Sequence, residues 1–246
     1  MVFDKALASI GIGAARVDTR LEKTQFQPGE LVRGEILVRG GQADQLVDDI
    51  YLFLTVHYLK NDKKIPYVLQ KYQLSEFFVV KAEEYKLIPF QIRLPLETPM
   101  SCGRFPIYLK TGLDIKKAVD PKDVDRIEVF PHRTVERILG EIEKADFILY
   151  KVFNEEVKEG ALPFVQIFQF RPSGRYHGYL DELNLYFDLT AHDVSMYVEI
   201  RRGTQQLSTC FDWSLEDPNA TFMMKGNGGQ QEVADPVATI QSMLRK

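Results

Sequence analysis

The feature that most constrains this chain is a single helical pattern near its middle, in residues 131–147. Apolar side chains recur there three and four residues apart, as on one face of an α-helix: Val135, Ile138, Leu139 and Ile142. Pro131 prevents a helix from entering from upstream, because proline lacks a backbone N–H and clashes with the preceding turn. The segment from His132 to Thr134 offers a hydroxyl near the start. The stretch is therefore predicted to be a helical connector between two β-rich halves.

Both flanking halves show the two-residue periodicity of β-strands. Apolar and polar side chains alternate in residues 183–189 and 194–200, while a turn is expected at Pro28–Gly29. At 246 residues the chain is near the size at which one core gives way to two domains. We therefore expect an all-β protein of two sandwich domains with short helices at both ends. The predicted divisions are an N-terminal sandwich at 1–130, a C-terminal sandwich at 131–225 that begins with the connector helix, and a tail at 226–246.

The two ends of the chain are predicted to be short helices. Residues 1–12 can form one such helix, and the glycine-rich residues 225–235 are predicted to be a flexible spacer. Pro236 can occupy the first turn of a final helix that Asp235 caps. This helix either packs on its own domain or docks in a groove of a partner protein. Its candidate contact residues are Val237, Ile240, Met243 and Leu244.

Charge and cysteine content indicate which binding partners are disfavoured and in which cellular compartment the protein is expected. Up to Phe130 the chain has 19 Lys and Arg against 18 Asp and Glu, and the remainder has 12 against 17. Neither half has the positive excess that binding to nucleic acid requires. Cys102 and Cys210 are far apart and suggest no disulfide framework, which is typical of the cytoplasm. Because no signal peptide or transmembrane segment is recognisable, we expect a soluble cytoplasmic protein.

No arrangement of residues predicts catalysis, a metal or a cofactor. Each histidine is far from the others in sequence, and no two have the four-residue spacing of helical metal ligands: His57, His132, His177 and His192. Gly11 and Gly13 could open a nucleotide-binding loop, but Arg16 occupies the position of the third glycine. We therefore expect neither enzymatic activity nor a bound cofactor.

A basic hairpin tip is the second candidate contact site. Asn61 and Asp62 are predicted to form the turn, and Lys60, Lys63 and Lys64 surround it. These lysines could contact anionic lipid or a partner protein. Exposed charge is more often simply solvated, however, so the pattern favours a solvated turn.

Several blocks of the sequence resemble a known family. QFQPGELVRGEILVRGG followed by VDDIYLFLTVHY is similar to the opening of arrestin-like domains, and KLIPFQIRLPLETPMS is similar to a later strand of them. LASIGIGAARVDTRLEKTQFQPGE, the central helix, LPFVQIFQFRPSG and LDELNLYF resemble, in this order, the bacterial SpoOM sporulation-control family. The resemblance implies two Ig-like sandwiches joined as in arrestins, no catalysis, and a regulatory role around the onset of sporulation. It also implies that partners bind along exposed edges and loops.

These observations leave several classes of function open. The leading hypothesis is a non-enzymatic regulator or adaptor that acts through protein–protein contacts. The alternative is a sandwich that binds a carbohydrate or another small ligand, because the chain is rich in Tyr and Phe, although such aromatics also fill cores. A hydrolase that uses a histidine and a carboxylate from different strands is a third class. Edge strands can pair between chains, so a homodimer is also open.

Overall fold

The computed structural model divides the chain into two compact, mostly β units. The first comprises Met1–His57 and Ile65–Phe130, and the second comprises Tyr58–Lys64 and Pro131–Lys246. The structure describes residues 14–75, 77–115, 122–174, 177–178, 180–215, 223–225, 231–233, 238, 240 and 242.

The elements follow one another as a run of strands, one helix and a second run of strands. The strands before the helix are β1 (Arg16–Leu21), β2 (Gln25–Phe26), β3 (Leu31–Arg39), β4 (Gln45–Lys60), β5 (Lys63–Ser75), β6 (Phe78–Val80), β7 (Tyr85–Arg93), β8 (Ile107–Ile115) and β9 (Lys122–Val129). Then come the helix α1 (Arg133–Lys144) and the strands β10 (Phe147–Glu156), β11 (Phe164–Pro172), β12 (Glu182–Leu189), β13 (Asp193–Arg202), β14 (Gln205–Ser214), β15 (Met223–Lys225) and β16 (Gln231–Val233).

The first unit is built from two sheets. Strands β1, β3 and β7 form an antiparallel sheet with β3 in the centre. In the second sheet β4 pairs with β5, β6 and β8, and β9 lies between β8 and the short β2. Alternate side chains of both sheets are buried, among them Val32, Ile36, Leu52, Leu54 and Leu109. Each fully buried side chain of this size stabilises the fold by about 1.5–3 kcal/mol, so this core dominates the stability of the unit.

Hydrogen bonds between side chains and the main chain join the two sheets of the first unit. Asp123 of β9 accepts the N–H of Thr19 in β1 at 2.7 Å. The hydroxyl of Tyr72 in β5 donates to the carbonyl oxygen of Arg93 in β7 at 2.6 Å. Burial raises the pKa of Tyr72 to about 12, so this hydroxyl stays protonated and able to donate at neutral pH. In both bonds a side chain of one sheet satisfies a backbone group of the other sheet.

The hairpin between β4 and β5 ends in the second unit. Asn61 and Asp62 form its turn with φ angles of 49° and 62°. Two successive positive φ angles are the signature of a type I′ turn, whose twist matches that of the flanking strands. The tip of a hairpin that begins in the first unit thus belongs to the compact body of the second.

Helix α1 lies where the sequence predicts a connector helix. Its apolar face is buried: Val135, Ile138, Leu139 and Ile142. Nδ1 of His132 accepts the N–H of Thr134 at 3.3 Å, so an imidazole caps the first turn instead of the expected hydroxyl. Burial, aided by the charge of Arg133, lowers the pKa of His132. The ring therefore stays neutral at physiological pH, and Nδ1 keeps the lone pair that the cap needs.

The second unit is an antiparallel meander. Strands β10 to β16 each pair with the next one along the chain. One parallel pair, Leu59 with Glu155, joins the hairpin tip to β10. One face of the meander is fully buried at Phe170, Leu183, Leu185, Met196, Val198 and Phe211.

The predicted β-rich fold is confirmed, with differences at several boundaries. The turn at Pro28–Gly29 and the tip at Asn61–Asp62 are confirmed, whereas the strand predicted at 67–72 is part of the longer β5. Residues 231–233 form β16 where the sequence predicts a flexible spacer. A short strand needs a paired neighbour, here β15, more than it needs alternation of its own side chains. The helix predicted at 1–12 lies outside the described residues.

Candidate functional site

The predicted basic tip is tied to the second unit. Tyr58 stacks on Phe164 with ring centroids 5.5 Å apart, and Nζ of Lys60 lies 2.5 Å from Oε1 of Glu156. The hydrogen bond to Glu156, together with the charge of that carboxylate, raises the pKa of Lys60. Lys63 and Lys64 are exposed. Of the three candidate lysines, one is therefore neutralised by an ion pair, and the structure does not bring the three together as a free cationic finger.

The predicted tail residues are only partly described. Ala238, Ile240 and Ser242 are helical, and Ile240 is 1% exposed. Val237, Met243 and Leu244 lie outside the described residues. The side chain of Ile240 is covered by other parts of the same chain, which favours packing of the tail on its own protein over docking in a partner.

A group of exposed side chains on β10 and β11 was not predicted from the sequence. Ile148 and Tyr150 are 59% and 53% exposed, and Cζ of Arg171 lies 3.4 Å from the ring centroid of Tyr150. Ile148 stands directly opposite Arg171 across the β10–β11 ladder. We call these three residues the Tyr150 patch. It combines an apolar, an aromatic and a cationic side chain on one solvent-facing surface of the second unit.

A β-bulge creates this surface. The ladder between β10 and β11 shifts register between Leu149 and Lys151, so Tyr150 is the additional residue. Bulges bend a strand and re-aim the side chain at the irregular position. Here Ile148 and Tyr150 both face solvent, whereas Phe147 is buried. The sequence carried a weak signal of this: residues 147–153 are FILYKVF, which is more apolar than a strand with one wet face needs.

The first unit contains a comparable pair with different surroundings. Tyr85 is 60% exposed, and the guanidinium of Arg39 lies 5.4 Å from its ring centroid. Arg39 also binds Glu83 at 2.7 Å, and this hydrogen bond is the main cause of a raised pKa for Arg39. Within the described residues Arg171 has no such carboxylate partner. The Tyr150 patch therefore offers a cation whose hydrogen-bond donors are available to another molecule.

Two histidines and two tyrosines that could carry chemistry have structural partners instead. Among the described residues no group of three or more His, Cys, Asp or Glu side chains is arranged to hold a metal ion. His57 bonds the carbonyl oxygen of Pro106 at 3.1 Å, and the His132 imidazole caps α1. Tyr186 and Tyr197 stack on each other with centroids 4.8 Å apart, so each ring covers one face of the other. Such cross-strand aromatic pairs stabilise a sheet.

Two further findings concern disulfides and membrane-spanning helices. Cys102 and Cys210 are not joined in a disulfide. No helix in the described part of the chain is long and apolar enough to cross a membrane.

Comparison with known proteins connects this fold to a family. The model of the SpoOM protein family matches residues 3–204 of the chain. The chain belongs to the SpoOM family. The sporulation-control protein spo0M of Bacillus subtilis (strain 168) is 37% identical to it over 212 residues, which cover 83% of this chain and 82% of that protein. The crystal structure of Spo0M, sporulation control protein, from Bacillus subtilis matches with a TM-score of 0.80 at 30% identity, covering 95% of this chain and 99% of that one. The β-rich fold is thus that of a SpoOM protein along almost its whole length.

Proposed function

We propose that this chain is a non-enzymatic regulator of the sporulation-control type, which acts in the cytoplasm by binding other proteins. Membership of the SpoOM family and the name of the Bacillus subtilis relative support the regulatory role. The proposal includes the arrestin-like arrangement of two β-sandwiches that the sequence blocks resemble. In this arrangement the chain works by presenting sheet surfaces to partners and carries out no reaction itself.

The Tyr150 patch is the observation that carries the protein-binding part of the proposal. Tyrosine and arginine are enriched at the energetic centres of protein interfaces, because each combines a large contact area with directed hydrogen bonds. In this patch the cation–π contact already holds Arg171 against Tyr150, so binding costs less side-chain entropy than it would for two free side chains. Ile148 adds an apolar contact beside them.

Site-specific photo-crosslinking in the cells that make this protein tests the proposal. The crosslinking amino acid p-benzoylphenylalanine replaces Tyr150 in one version and Tyr85 in the other. Tyr85 is a matched control, because it is similarly exposed and is also paired with an arginine. We expect a small, reproducible set of protein adducts from position 150 that is absent from position 85. Identical adducts from both positions, or none from position 150, would refute the protein-binding role of the patch.

Truncation of the tail tests whether partners contact the Tyr150 patch or the tail. A chain that ends at Gly229 lacks all four of the predicted tail residues. Because Ile240 is covered by its own chain, we expect the adducts at position 150 to persist in the truncated protein. If the truncated protein stayed folded but lost these adducts, the contact surface would have to be placed on the tail instead.

A further inference from the structure

A second solvent-facing surface lies on the other unit, on the outer side of the sheet that contains β4, β8 and β9. Three rows of directly opposed residues define it: Thr55 with Tyr108 and Arg126, Phe53 with Lys110 and Val124, and Tyr51 with Gly112 and Lys122. Lys71 of β5 lies over the ring of Tyr51 at 3.5 Å and reaches Phe53 at 5.5 Å. Residues that stand opposite one another in a ladder share a face of the sheet. We call this surface the basic face.

The basic face brings together four cations, and none of them has an ion-pair partner within the described residues. They are Lys71, Lys110, Lys122 and Arg126. On the other sheet of the same unit two cations are ion-paired: Arg20 binds Asp18 and Glu35, and Arg39 binds Glu83. Two further arginines of that sheet bind uncharged groups: Arg33 donates to Gln91, and Arg93 donates to the carbonyl oxygen of Gly29. Sequence composition does not explain the difference, since this half of the chain is nearly neutral. The fold has gathered positive charge on one face.

An exposed apolar side chain accompanies this charge. Val124, at the end of the central row, is 54% exposed. An exposed apolar side chain among unpaired cations is a surface on which hydrophobic contact and ion pairing can act together.

Carboxylates limit the length of the basic face. Asp49 and Asp114 are opposed to each other beyond the Tyr51 row, and Glu128 follows Arg126 on β9. Asp49 already accepts the hydroxyl of Tyr51, and Glu128 accepts the amide of Gln25. The positive zone between them spans five residues along β4, from Tyr51 to Thr55, which is about 13 Å at the rise of a β-strand. A ligand for this face is therefore short.

We propose that the basic face binds a short acidic segment of a partner protein, with Val124 contacting an apolar side chain between its carboxylates. Arg126, Lys110, Lys122 and Lys71 pair with these carboxylates. Cations left unpaired on a solvated face keep most of their hydration, and each becomes an ion-pair donor when an acidic chain lies across it. Together with the Tyr150 patch, this surface gives the protein two separate contact sites, as an adaptor needs.

Two other anionic ligands fit the face less well. Single-stranded nucleic acid binds to sheets by stacking bases on aromatic rings, but Lys71 already covers the ring of Tyr51. A membrane with anionic lipids presents a broad negative surface, which the bordering Asp49, Asp114 and Glu128 oppose. A protein segment of a few residues fits between these carboxylates.

Solution NMR of the full-length, isotope-labelled protein tests the proposal with defined probes. The probe is a synthetic eight-residue peptide of alternating Glu and Val, and the matched probe replaces every Glu with Gln. We expect the Glu peptide to shift the amide signals around Lys110 and Val124 and to leave those around Leu87 unchanged. Leu87 is the internal control, because it is 55% exposed on the other sheet of the same unit. The Gln peptide is expected to produce no shifts.

Charge variants decide whether the cations are responsible. Lys110→Gln with Arg126→Gln should weaken binding of the Glu peptide by about tenfold or more, because two ion pairs are removed. Arg20→Gln with Arg39→Gln removes the same charge from the paired face and should leave the affinity unchanged. The proposal is wrong if the Glu peptide causes no shift at the basic face. It is equally wrong if both double variants weaken binding of the Glu peptide to the same extent. It is also wrong if oligothymidine or phosphatidylglycerol vesicles bind there more tightly than the peptide. None of these outcomes depends on the crosslinks at Tyr150.

Discussion

The two units each expose a tyrosine beside an arginine, and the neighbours of the two pairs differ. In the first unit Arg39 leans towards Tyr85 while it binds Glu83 at 2.7 Å. In the second unit Arg171 lies on the ring of Tyr150 with an apolar residue, Ile148, opposite it in the ladder. The first arginine is satisfied within its own unit, and the second keeps its donors directed at solvent. Residue type and exposure alone therefore do not mark a binding surface; the charge of the neighbouring residues decides.

The same rule separates the two outer faces of the first unit. On the sheet of β1, β3 and β7 two cations, Arg20 and Arg39, have carboxylate partners, whereas on the face formed by β4, β5, β8 and β9 four cations have none among the described residues. Exposed ion pairs contribute little to stability, so pairing on one face chiefly removes its attraction for other anions. Leaving the other face unpaired preserves that attraction.

The largest expected effect tests whether the two units have separate cores. Leu52 and Phe170 are fully buried in the first and second units. We expect Leu52→Ala and Phe170→Ala to lower the free energy of unfolding by about 2–5 kcal/mol, each in its own unit. Trp213, the only tryptophan of the chain, lies in β14 and reports on the second unit, whereas circular dichroism reports on both. In denaturant titrations Phe170→Ala should shift the fluorescence midpoint and Leu52→Ala should not. Equal shifts from both variants would mean one cooperative core.

A smaller expected effect tests whether the tip of the β4–β5 hairpin belongs to the second unit. Tyr58 belongs to β4, most of which lies in the first unit, but its ring stacks on Phe164 and is 8% exposed. We expect Tyr58→Ala to cost about 2–3 kcal/mol and to move the fluorescence midpoint. Val56→Ala, at a fully buried position two residues earlier in β4, is the control and should affect the circular dichroism signal alone. A change in the fluorescence midpoint from Val56→Ala would contradict this division of β4.

The third prediction concerns the Tyr150–Arg171 pair, which a new carboxylate would make similar to the Tyr85–Arg39 pair. Ile148→Glu places a carboxylate directly opposite Arg171, as Glu83 neutralises Arg39. We expect the yield of photo-adducts at position 150 to fall about tenfold, because the new cross-strand ion pair engages the guanidinium. Ile148→Gln changes polarity without adding charge and should reduce the yield less. If both variants reduced it equally, the loss of apolar contact would be responsible and the role of charge would be refuted.

The sequence predicted the β-rich fold and α1 because both follow from local periodicity. The four apolar residues of α1 are buried as their spacing requires, and the strands at 183–189 and 194–200 lie within β12 and β13. It also indicated the family, through blocks of residues in a fixed order. The histidine cap of α1 could not be predicted from the sequence. Whether Nδ1 of His132 can accept a hydrogen bond depends on the tautomer and burial of the ring, which residue type alone does not reveal.

The two proposed contact surfaces could not be predicted from the sequence, because both depend on register. Tyr150 is exposed through a bulge that shifts β10 against β11, and one residue of slip reverses which side chains face the core. The basic face gathers Lys71 from β5, Lys110 from β8, and Lys122 and Arg126 from β9, so it depends on how β5 and the β8–β9 pair lie beside β4. The sequence instead drew attention to Lys60, Lys63 and Lys64, which are adjacent in the chain.

The smallest expected effect concerns a negative charge that the first unit does not compensate. Oδ2 of Asp125 in β9 is buried and has no hydrogen-bond partner among the described residues. Burial, followed by the charges of Asp123 and Asp18, raises the pKa of Asp125 to about 6. The folded protein therefore holds this proton more tightly than the unfolded chain does, and the unfolding free energy falls as the pH rises from about 4 through 6.

Replacement of this carboxyl group tests whether a half-buried negative charge destabilises the first unit, in contrast to the exposed cations of the basic face. We expect Asp125→Asn to raise the unfolding free energy by about 1 kcal/mol at pH 8, since solvent screens part of the penalty at a half-exposed site, and to change nothing at pH 4. Urea titrations at the two pH values measure the difference. Asp114→Asn, at an exposed position on the outer face, should have no effect at either pH. An equal gain at pH 4 and pH 8 would show that packing, and not ionisation, explains the effect of Asp125→Asn. The half-buried Asp125 would then not differ from the exposed cations of the basic face by the cost of its charge.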